Sequence, residues 1–600
     1  MGKFWQKDSR LIVDCAMGRH PADLVITNGT WVCVQTGEYI PNTQIAIIDG
    51  RIAYIGPSAA HTIGENTEVI SADGNYLVPG LLDAHMHVES GMLTVTQFVR
   101  AVLPHGTTGM FIDPHEIANV FGMRGVKLMV EEALKQPNHV FVEIPSCVPS
   151  APGFETPGAS IDAKDVADAI RWEGVIGLGE MMNFPGVAAS DPLVHEEMEI
   201  TRLASRRIGG HYASPDLGLP FYGYAAGGPQ DDHEGTRTED AIIRARSGMK
   251  VMMRYGSGWL DVAEQVKAIT DHGLEARNFM VCTDDSHSAT LVYEGHMDRV
   301  IRHTIQQNVS PMLAIQMATI NTAEYFDLDA ELGQLAPGRY ADILFVKNLN
   351  DFHAELVIAK GKVVAKDGKI LLNEPHIDYP QWVLNSVNIK QPLTATQFEV
   401  IANGKTSVTV NTIEVIESQA PTRHIQVRLP VMNGKVQIDS EKGVAKLALV
   451  ERHQKSGRVQ LGFVAGFGFD KKCAIASTVA HDSHQIIVVG TDDEYMAQAV
   501  NHLARIGGGQ VVIFDGRVVG EVKLPIAGLM SNAPAEEVSR QAATILDGFE
   551  QCGCHMNNPN MQLSLLALVV IPELRLTDLG LVDVNNFRFI PLIVDEQQVN

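Results

Sequence analysis

Between Tyr76 and Phe326 short apolar runs alternate with segments of helical periodicity, and this rhythm restricts the possible folds more than any other feature of the 600-residue chain. The runs expected as strands are 77–82, 109–112, 140–144, 175–179, 207–210, a short one before Asp232, 250–253 and 279–282. Amphipathic stretches lie between them, at 117–134, 163–172, 195–206, 238–247, 261–270 and 295–307. Eight strands alternating with helices over about 250 residues match a (β/α)8 TIM-like barrel of the α/β class. A doubly wound sheet shares the alternation, but no Gly-rich phosphate loop follows the first run.

On either side of this region the texture changes. Residues 23–72 read as short strands broken by turns, with Asp49-Gly50 between apolar runs as a hairpin signal. Residues 332–364 return to the same pattern, so residues 1–75 and 331–377 are expected to form one small composite β-domain, split by a catalytic barrel at 76–330. Residues 378–392 read as a linker, and 393–600 as an additional C-terminal α/β domain. In that domain strands are expected at 486–489, 510–514 and 565–571, and helices at 493–506 and 535–551. Six hundred residues exceed what one core supports, in keeping with several domains.

Charge and cysteine content narrow the classes of partner. A net charge of −24 leaves no basic excess to meet phosphates, which argues against nucleic acid or an anionic membrane. There is no run of eighteen apolar residues, and residues 1–20 lack the apolar core of a signal peptide. Seven scattered cysteines suit reduced thiols in the cytoplasm better than a disulfide framework. Cys552-Gly553-Cys554-His555 is one short cluster without a partner pair, a weak zinc signal. A homo-oligomer, first of all a dimer, is expected.

Chemistry is concentrated at the ends of the apolar runs. The first leads into His85-Met86-His87, and residues two apart on a strand point the same way, giving a ready pair of metal ligands. Later runs end in Glu180, His211, His233 and Asp284. Each has an ordinary alternative: Glu180 as a helix cap, His211 as a packed loop residue, Asp284 as an N-cap. Together they place six metal-type ligands where catalytic groups of such barrels sit. A catalytic zinc usually takes three protein ligands. Four histidines and two carboxylates therefore imply two divalent ions with a carboxylate between them, and the ligand types suit Zn²⁺, Mn²⁺ or Fe²⁺ alike.

Longer strings carry a resemblance. His-Met-His after the first run and Thr-Asp-Asp at 283–285 resemble the amidohydrolase superfamily. The strings H-V-E-S (87–90), H-G-T-T (105–108), D-P-H-E-I-A-N-V (113–120), G-E-M-M-N (179–183), D-H-E (232–234) and V-A-H-D-S-H (479–484) resemble bacterial adenine deaminase. This implies a metal-dependent adenine aminohydrolase of purine salvage, forming hypoxanthine and ammonia, with Glu180 where many relatives carry a carboxylated lysine. It further implies Asp284 as ligand and proton shuttle, Glu89 as a second acid or an orienting group for His87, and Asp285 as a ring contact. His115, His481 and Asp482 are expected to face substrate, with the C-terminal domain walling the pocket and Gly507-Gly508-Gly509 admitting a flat ligand. Asp113 and Glu116 are expected behind the ligands, and for Arg254 a substrate contact and a plain ion pair stand equal. Gly91, Gly235, Ser286 and Gln485 depart from the pattern.

Other chemistries fit less well. The cytidine-deaminase type needs P-C-x-x-C after H-x-E, and the chain has no such string. His481-Asp482-Ser483-His484 lacks the G-x-S-x-G elbow of a serine hydrolase. The alternatives that stand are a binuclear hydrolase of another amino-heterocycle or cyclic amide, and a non-catalytic descendant of such an enzyme.

Overall fold

A computed structural model describes residues 9–417, 419–439 and 442–594, so the first eight residues of the stretch read for a leader lie outside it. The chain divides into two compact units: Met1–Pro114 with Lys127–Ser146 and Asp162–Ile377, and His115–Val126 with Cys147–Ile161 and Asp378–Asn600.

The barrel of the first unit is built from parallel strands. Six of them run in the order Arg207–Gly210, Val175–Met181, His139–Ile144, Thr107–Ile112, Leu81–His87 and Asp284–Asp285. Asp231–Asp232, Lys250–Arg254 and Phe279–Cys282 form a second parallel group. Two links close the ring. Gln230 donates its amide to Ile208 O and accepts from Lys250 N, and Asp284 and Asp285 pair with Met86 and His87. Leu81–His87, Thr107–Ile112, His139–Ile144 and Val175–Met181 are buried along their whole length, as parallel strands covered on both faces must be. Phe111 stacks on Phe326 at 3.8 Å in the core, where burying each ring contributes about 1.5–3 kcal/mol.

The run read as one strand at 77–82 is two. Tyr76–Pro79 pairs with Ile343–Val346 in the composite sheet, whereas Leu82 and Asp83 pair with Gly109 and Met110 in the barrel. Gly80 and Leu81 switch partners between them, donating to Asp342 O and Gly106 O. The composite sheet draws on both flanks: Leu24–Cys33, Glu38–Ile48 and Arg51–Gly56 lie to one side of Tyr76–Pro79, and Ile343–Val346, Ala354–Ala359 and Lys362–Lys366 to the other.

Two expected helices are broken. The stretch 117–134 gives His115–Phe121 and Met123–Ala133, separated by Gly122 at φ +57°, a conformation glycine adopts without strain. The stretch 261–270 gives two single turns, Val262–Gln265 and Lys267–Thr270.

The second unit centres on a ten-stranded sheet in which Val444–Val450, Ile486–Gly490, Cys473–Ser477 and Gly509–Phe514 lie side by side. Helix Asp493–Ile506 packs its Met496, Val500 and Leu503 against that sheet. Asp492 caps its start by accepting from Glu494 N and Tyr495 N, and Gly507 ends it at φ +85°. Residues 565–571 are not a strand: Pro559 opens the helix Pro559–Leu565, and the apolar residues that follow form turns. The expected linker holds a short helix, Gln381–Leu384, whose Trp382 meets Phe121 edge-on at 4.8 Å. Gly508 and Gly509 serve the sheet itself, since a Cβ at Gly509 would stand 1.9 Å from Val522 O. Among the described residues no helix is long and apolar enough to cross a membrane.

Candidate metal centre

All six expected ligands of the first unit converge at the C-terminal ends of barrel strands. Strand alternation places Asp83, His85 and His87 on one face. Asp83 lies deepest, accepting from Thr283 N at 3.0 Å and Oγ1 at 2.6 Å, which ties the last strand to the first. Glu180 is the centre of the group. Its Oε2 lies 2.9 Å from His211 Nδ1, 3.0 Å from His233 Nε2 and 3.5 Å from His85 Nε2, and its Oε1 lies 3.9 Å from His87 Nε2. Asp284 Oδ1 is 3.4 Å from His87 Nε2.

The orientation of these nitrogens decides between a hydrogen-bond network and a metal site. His87 Nδ1 donates to Asp113 O at 2.8 Å, so its Nε2 presents a lone pair to the cluster. His85 Nε2 and His233 Nε2 are buried and hydrogen-bond to nothing, although Glu180 Oε2 stands within reach of both. Buried polar atoms facing one another without a hydrogen bond are costly unless a cation stands among them. The donor atoms of His85, His87 and Glu180 lie within 4.8 Å of one another, as do those of Glu180, His211 and His233, and those of His85, His233 and Asp284. Glu180 belongs to two of these trios, as a bridging carboxylate would.

Electrostatics agrees. Burial would raise Glu180, yet His211, His233 and His85 hold it well below the usual carboxylate range. Burial likewise disfavours a charged His211, but Glu180 and Glu234 hold it up to about 9. Asp284 is kept ionised against burial by His87, His233 and Arg254. The pocket attracts cations, and a divalent ion displaces imidazole protons to enter it.

Several groups orient the ligands; Asp113 and Arg254 are among those expected from sequence, whereas Glu143 was not singled out there. Asp113 accepts from Glu180 N at 2.9 Å as well as from His87, and a Cβ at Gly179 would stand 2.1 Å from its carboxylate, so only glycine fits there. Glu143 faces His85 Nδ1 at 3.9 Å and is pushed by burial up to about 7. A carboxylate inside the apolar run Val140-Phe141-Val142-Glu143-Ile144 was the signal for it. Arg254 donates Nε to Asp261 at 2.8 Å and Nη1 to Asp284 Oδ2 at 3.1 Å, and bonds Glu234, so it acts as an ion-pair hub of the centre. Asp285 accepts from Ser90 Oγ and from Trp259 Nε1 at 3.3 Å. Glu89 is buried on the turn Val88–Gly91 directly after His87. Two of the departures are neighbours: a Cβ at Gly91 would lie 3.2 Å from Ser286 O.

His115, His481 and Asp482 belong to the second unit, where the two histidines gather around Glu116. His481 Nδ1 lies 3.1 Å from Glu116 Oε1, His115 Nε2 lies 3.5 Å from the same oxygen, and His484 Nε2 contacts Oε2. Three of these residues have donor atoms close enough for an ion. The tautomer argues otherwise. His484 Nδ1 accepts from Ala480 N at 3.2 Å, which puts the ring proton on Nε2, facing Glu116 as a donor with no lone pair to offer. Burial opposes ionisation of Glu116, yet His481, His484 and His115 hold it well below the carboxylate range. Gln485 is structural here, accepting from Arg452 N at 2.8 Å and donating to Thr156 O at 2.6 Å. Cys552 and Cys554 are buried free thiols and join no metal-type group among the described residues.

Known proteins bear out the resemblance. Residues 76–223 and 229–364 match the amidohydrolase family, and residues 419–588 match the adenine deaminase C-terminal domain. "Adenine deaminase 3" of Rhizobium meliloti (strain 1021) is 56% identical over 98% of this chain and 99% of its own length. The adenine deaminase of Mesorhizobium japonicum is 56% identical over 99% of this chain and 98% of its own. That of Ruegeria sp. (strain TM1040) is 54% identical over 98% of both. With both halves matched and identity above one half from end to end, the chain belongs to the adenine deaminase family of the amidohydrolase superfamily.

Proposed function

We propose that the chain hydrolyses adenine to hypoxanthine and ammonia, as a purine-salvage enzyme, at the barrel centre around Glu180. The observation that carries this reading is the sharing of one buried carboxylate between two histidine groups with unsatisfied nitrogens. His85, His87 and Asp284 would hold one divalent ion and His211 and His233 a second, with Glu180 between them. Bound there, Mn²⁺, Fe²⁺ or Zn²⁺ lowers the pKa of water so that it attacks near neutral pH.

The remaining roles fall to the chain's own groups. Water adds to C6 of the ring while the C6–N bond to the amino group breaks, so one water is consumed and one ammonia leaves. Asp284, held ionised by His87 and Arg254, accepts the proton of the attacking water and returns it to the departing amine. Arg254 fixes Oδ2 of that carboxylate, leaving Oδ1 on the ligand side. Glu89 supplies a proton to a ring nitrogen and takes one back from the C6 hydroxyl as the carbonyl of hypoxanthine forms. Asp285, pinned by Ser90 and Trp259, accepts from a ring N–H. Seven free, buried thiols suit a reducing cytoplasm.

The test is ammonia release from a panel of purines, pyrimidines and cyclic amides after purification with controlled metal. Turnover of adenine above the others is expected. Silence on adenine with turnover of a cyclic amide would replace this reading.

A further inference from the structure

Asp232 opens the string Asp232-His233-Glu234 and lies buried beside the ligand His233. Both of its oxygens are taken by donors of the chain itself. Oδ2 accepts from Tyr212 N at 2.6 Å, and Oδ1 accepts from Glu234 N at 2.9 Å and from Arg244 Nε at 2.8 Å. A carboxylate so occupied is no ligand, and its partners show what it does instead.

His211 and His233 stand on two different parallel groups of the barrel, since Arg207–Gly210 ends one and Asp231–Asp232 begins the other. At the ligand end side chains join them. Three successive amides around His211 donate to side-chain oxygens: Gly210 N to Asp231 Oδ1 at 2.9 Å, His211 N to the Tyr224 hydroxyl at 2.7 Å, and Tyr212 N to Asp232. The approach is close enough that a Cβ at Gly210 would stand 1.9 Å from Asp231 O. Arg244, buried on the helix Thr238–Arg246, spans the seam, because its Nη2 also donates to Tyr212 O at 3.0 Å. Tyr224, buried on the helix Leu219–Gly227, donates its hydroxyl to Met181 O at 3.1 Å. The chain neighbours of Glu180, His211 and His233 are thus held by one network, and the two imidazoles lie edge-on at 5.2 Å. The other ligand group is held differently: the backbone ladder between Asp284–Asp285 and Met86–His87 fixes it.

We propose that Arg244 and Tyr224 are positioning residues for the second ion alone, acting through Asp232, Tyr212 and Met181 to set the spacing of Glu180, His211 and His233. This rests on the two-ion reading above. A buried ion pair such as Arg244–Asp232 is weak evidence of stabilisation, because desolvation offsets much of its attraction. What it adds is fixed geometry, which the planar fork of arginine provides and an ammonium does not.

Titration calorimetry of the metal-stripped, full-length protein with Mn²⁺, resolved by equivalent, tests this. His211→Ala marks the equivalent that belongs to the second ion. Arg244→Lys keeps a charge opposite Asp232 without reaching Tyr212 O at the same time, and Tyr224→Phe removes one hydroxyl at nearly constant shape. Each should weaken the equivalent that His211→Ala removes by about 10–100-fold, the usual cost of losing a group that orients a ligand, and leave the other equivalent unchanged. Arg51→Lys, at the buried Arg51–Glu331 pair of the same unit, should leave both equivalents unchanged, which separates positioning from general loosening. The proposal is overturned if Arg244→Lys binds both equivalents as the parent does, if it weakens both alike, or if Arg51→Lys reproduces its effect. Should Arg244→Lys fail to fold, the same outcomes in Tyr224→Phe decide. A parent protein that takes up a single equivalent would instead overturn the two-ion reading, and this inference with it.

Discussion

Glu180 in the barrel and Glu116 in the second unit are both buried carboxylates ringed by histidines, both held ionised against burial. They differ in where the ring protons sit. His87 uses its Nδ1 proton on a backbone carbonyl and turns a lone pair inward, whereas His484 accepts a backbone N–H and turns a proton inward. The first arrangement turns a lone pair toward the carboxylate, where a cation can take it, and the second turns a ring proton toward it. Proximity of donor atoms therefore does not identify a metal site, and the partner of the far nitrogen does.

The contrast can be broken most sharply at the two glutamates. Glu180→Gln should empty the centre and lower adenine turnover by on the order of 10³-fold or more, since the ions supply several kcal/mol of transition-state stabilisation. Metal analysis and initial rates check it together, and retention of both would demote Glu180 to an orienting group. Asp284→Asn should keep much of the metal and lose about 10²–10⁴-fold in rate, the usual contribution of a positioned acid–base group. A near-normal rate would transfer that role to Glu89.

Glu116→Gln sharpens the comparison from the other side. It should leave metal per chain unchanged and lower the stability of the second unit by about 1–3 kcal/mol, as the charge is lost and one of the two oxygens facing His481 and His484 becomes an amide N–H. Denaturant unfolding alongside metal analysis reads both outcomes. A loss of metal would show that the tautomer argument fails.

The smallest effect concerns Glu155, which faces Asp482 of the same cluster and is pushed by burial up to about 7. A carboxyl raised in the folded state favours its neutral form. Stability is therefore full below the ordinary carboxyl value of 4.5 and falls as pH rises through about 7. Glu155→Gln removes that fall, amounting to about 2–3 kcal/mol between pH 4.5 and 8, and keeps the acceptor used by Ser150 and Ala151. Parallel pH-stability curves for variant and parent would refute it.

What the sequence disclosed follows from periodicity. His85, His87, Glu180 and Asp284 stood out because each ends an apolar run, and His211 and His233 because they fall where the next short strands of the same rhythm end. Glu143 and Arg254 were harder to weigh, because their importance lies in contacts made across strands rather than in spacing along one. The division of 77–82 was hidden for a similar reason: the apolar run is continuous, and only the change of pairing partner at Gly80 and Leu81 separates two sheets. Gly122 did mark a break, yet the surrounding periodicity spoke for one helix. At 565–571 composition favoured a strand, and the helix started by Pro559 prevailed.

The central claim is that two ions held by the Glu180 cluster are needed for deamination. The direct measurement strips the metal, returns Mn²⁺ in known equivalents and follows ammonia release from adenine. Activity should be absent at zero equivalents and rise to a plateau at two per chain, equally in the parent protein and in Glu116→Gln. Full activity without metal, or a plateau at one equivalent, would contradict the account.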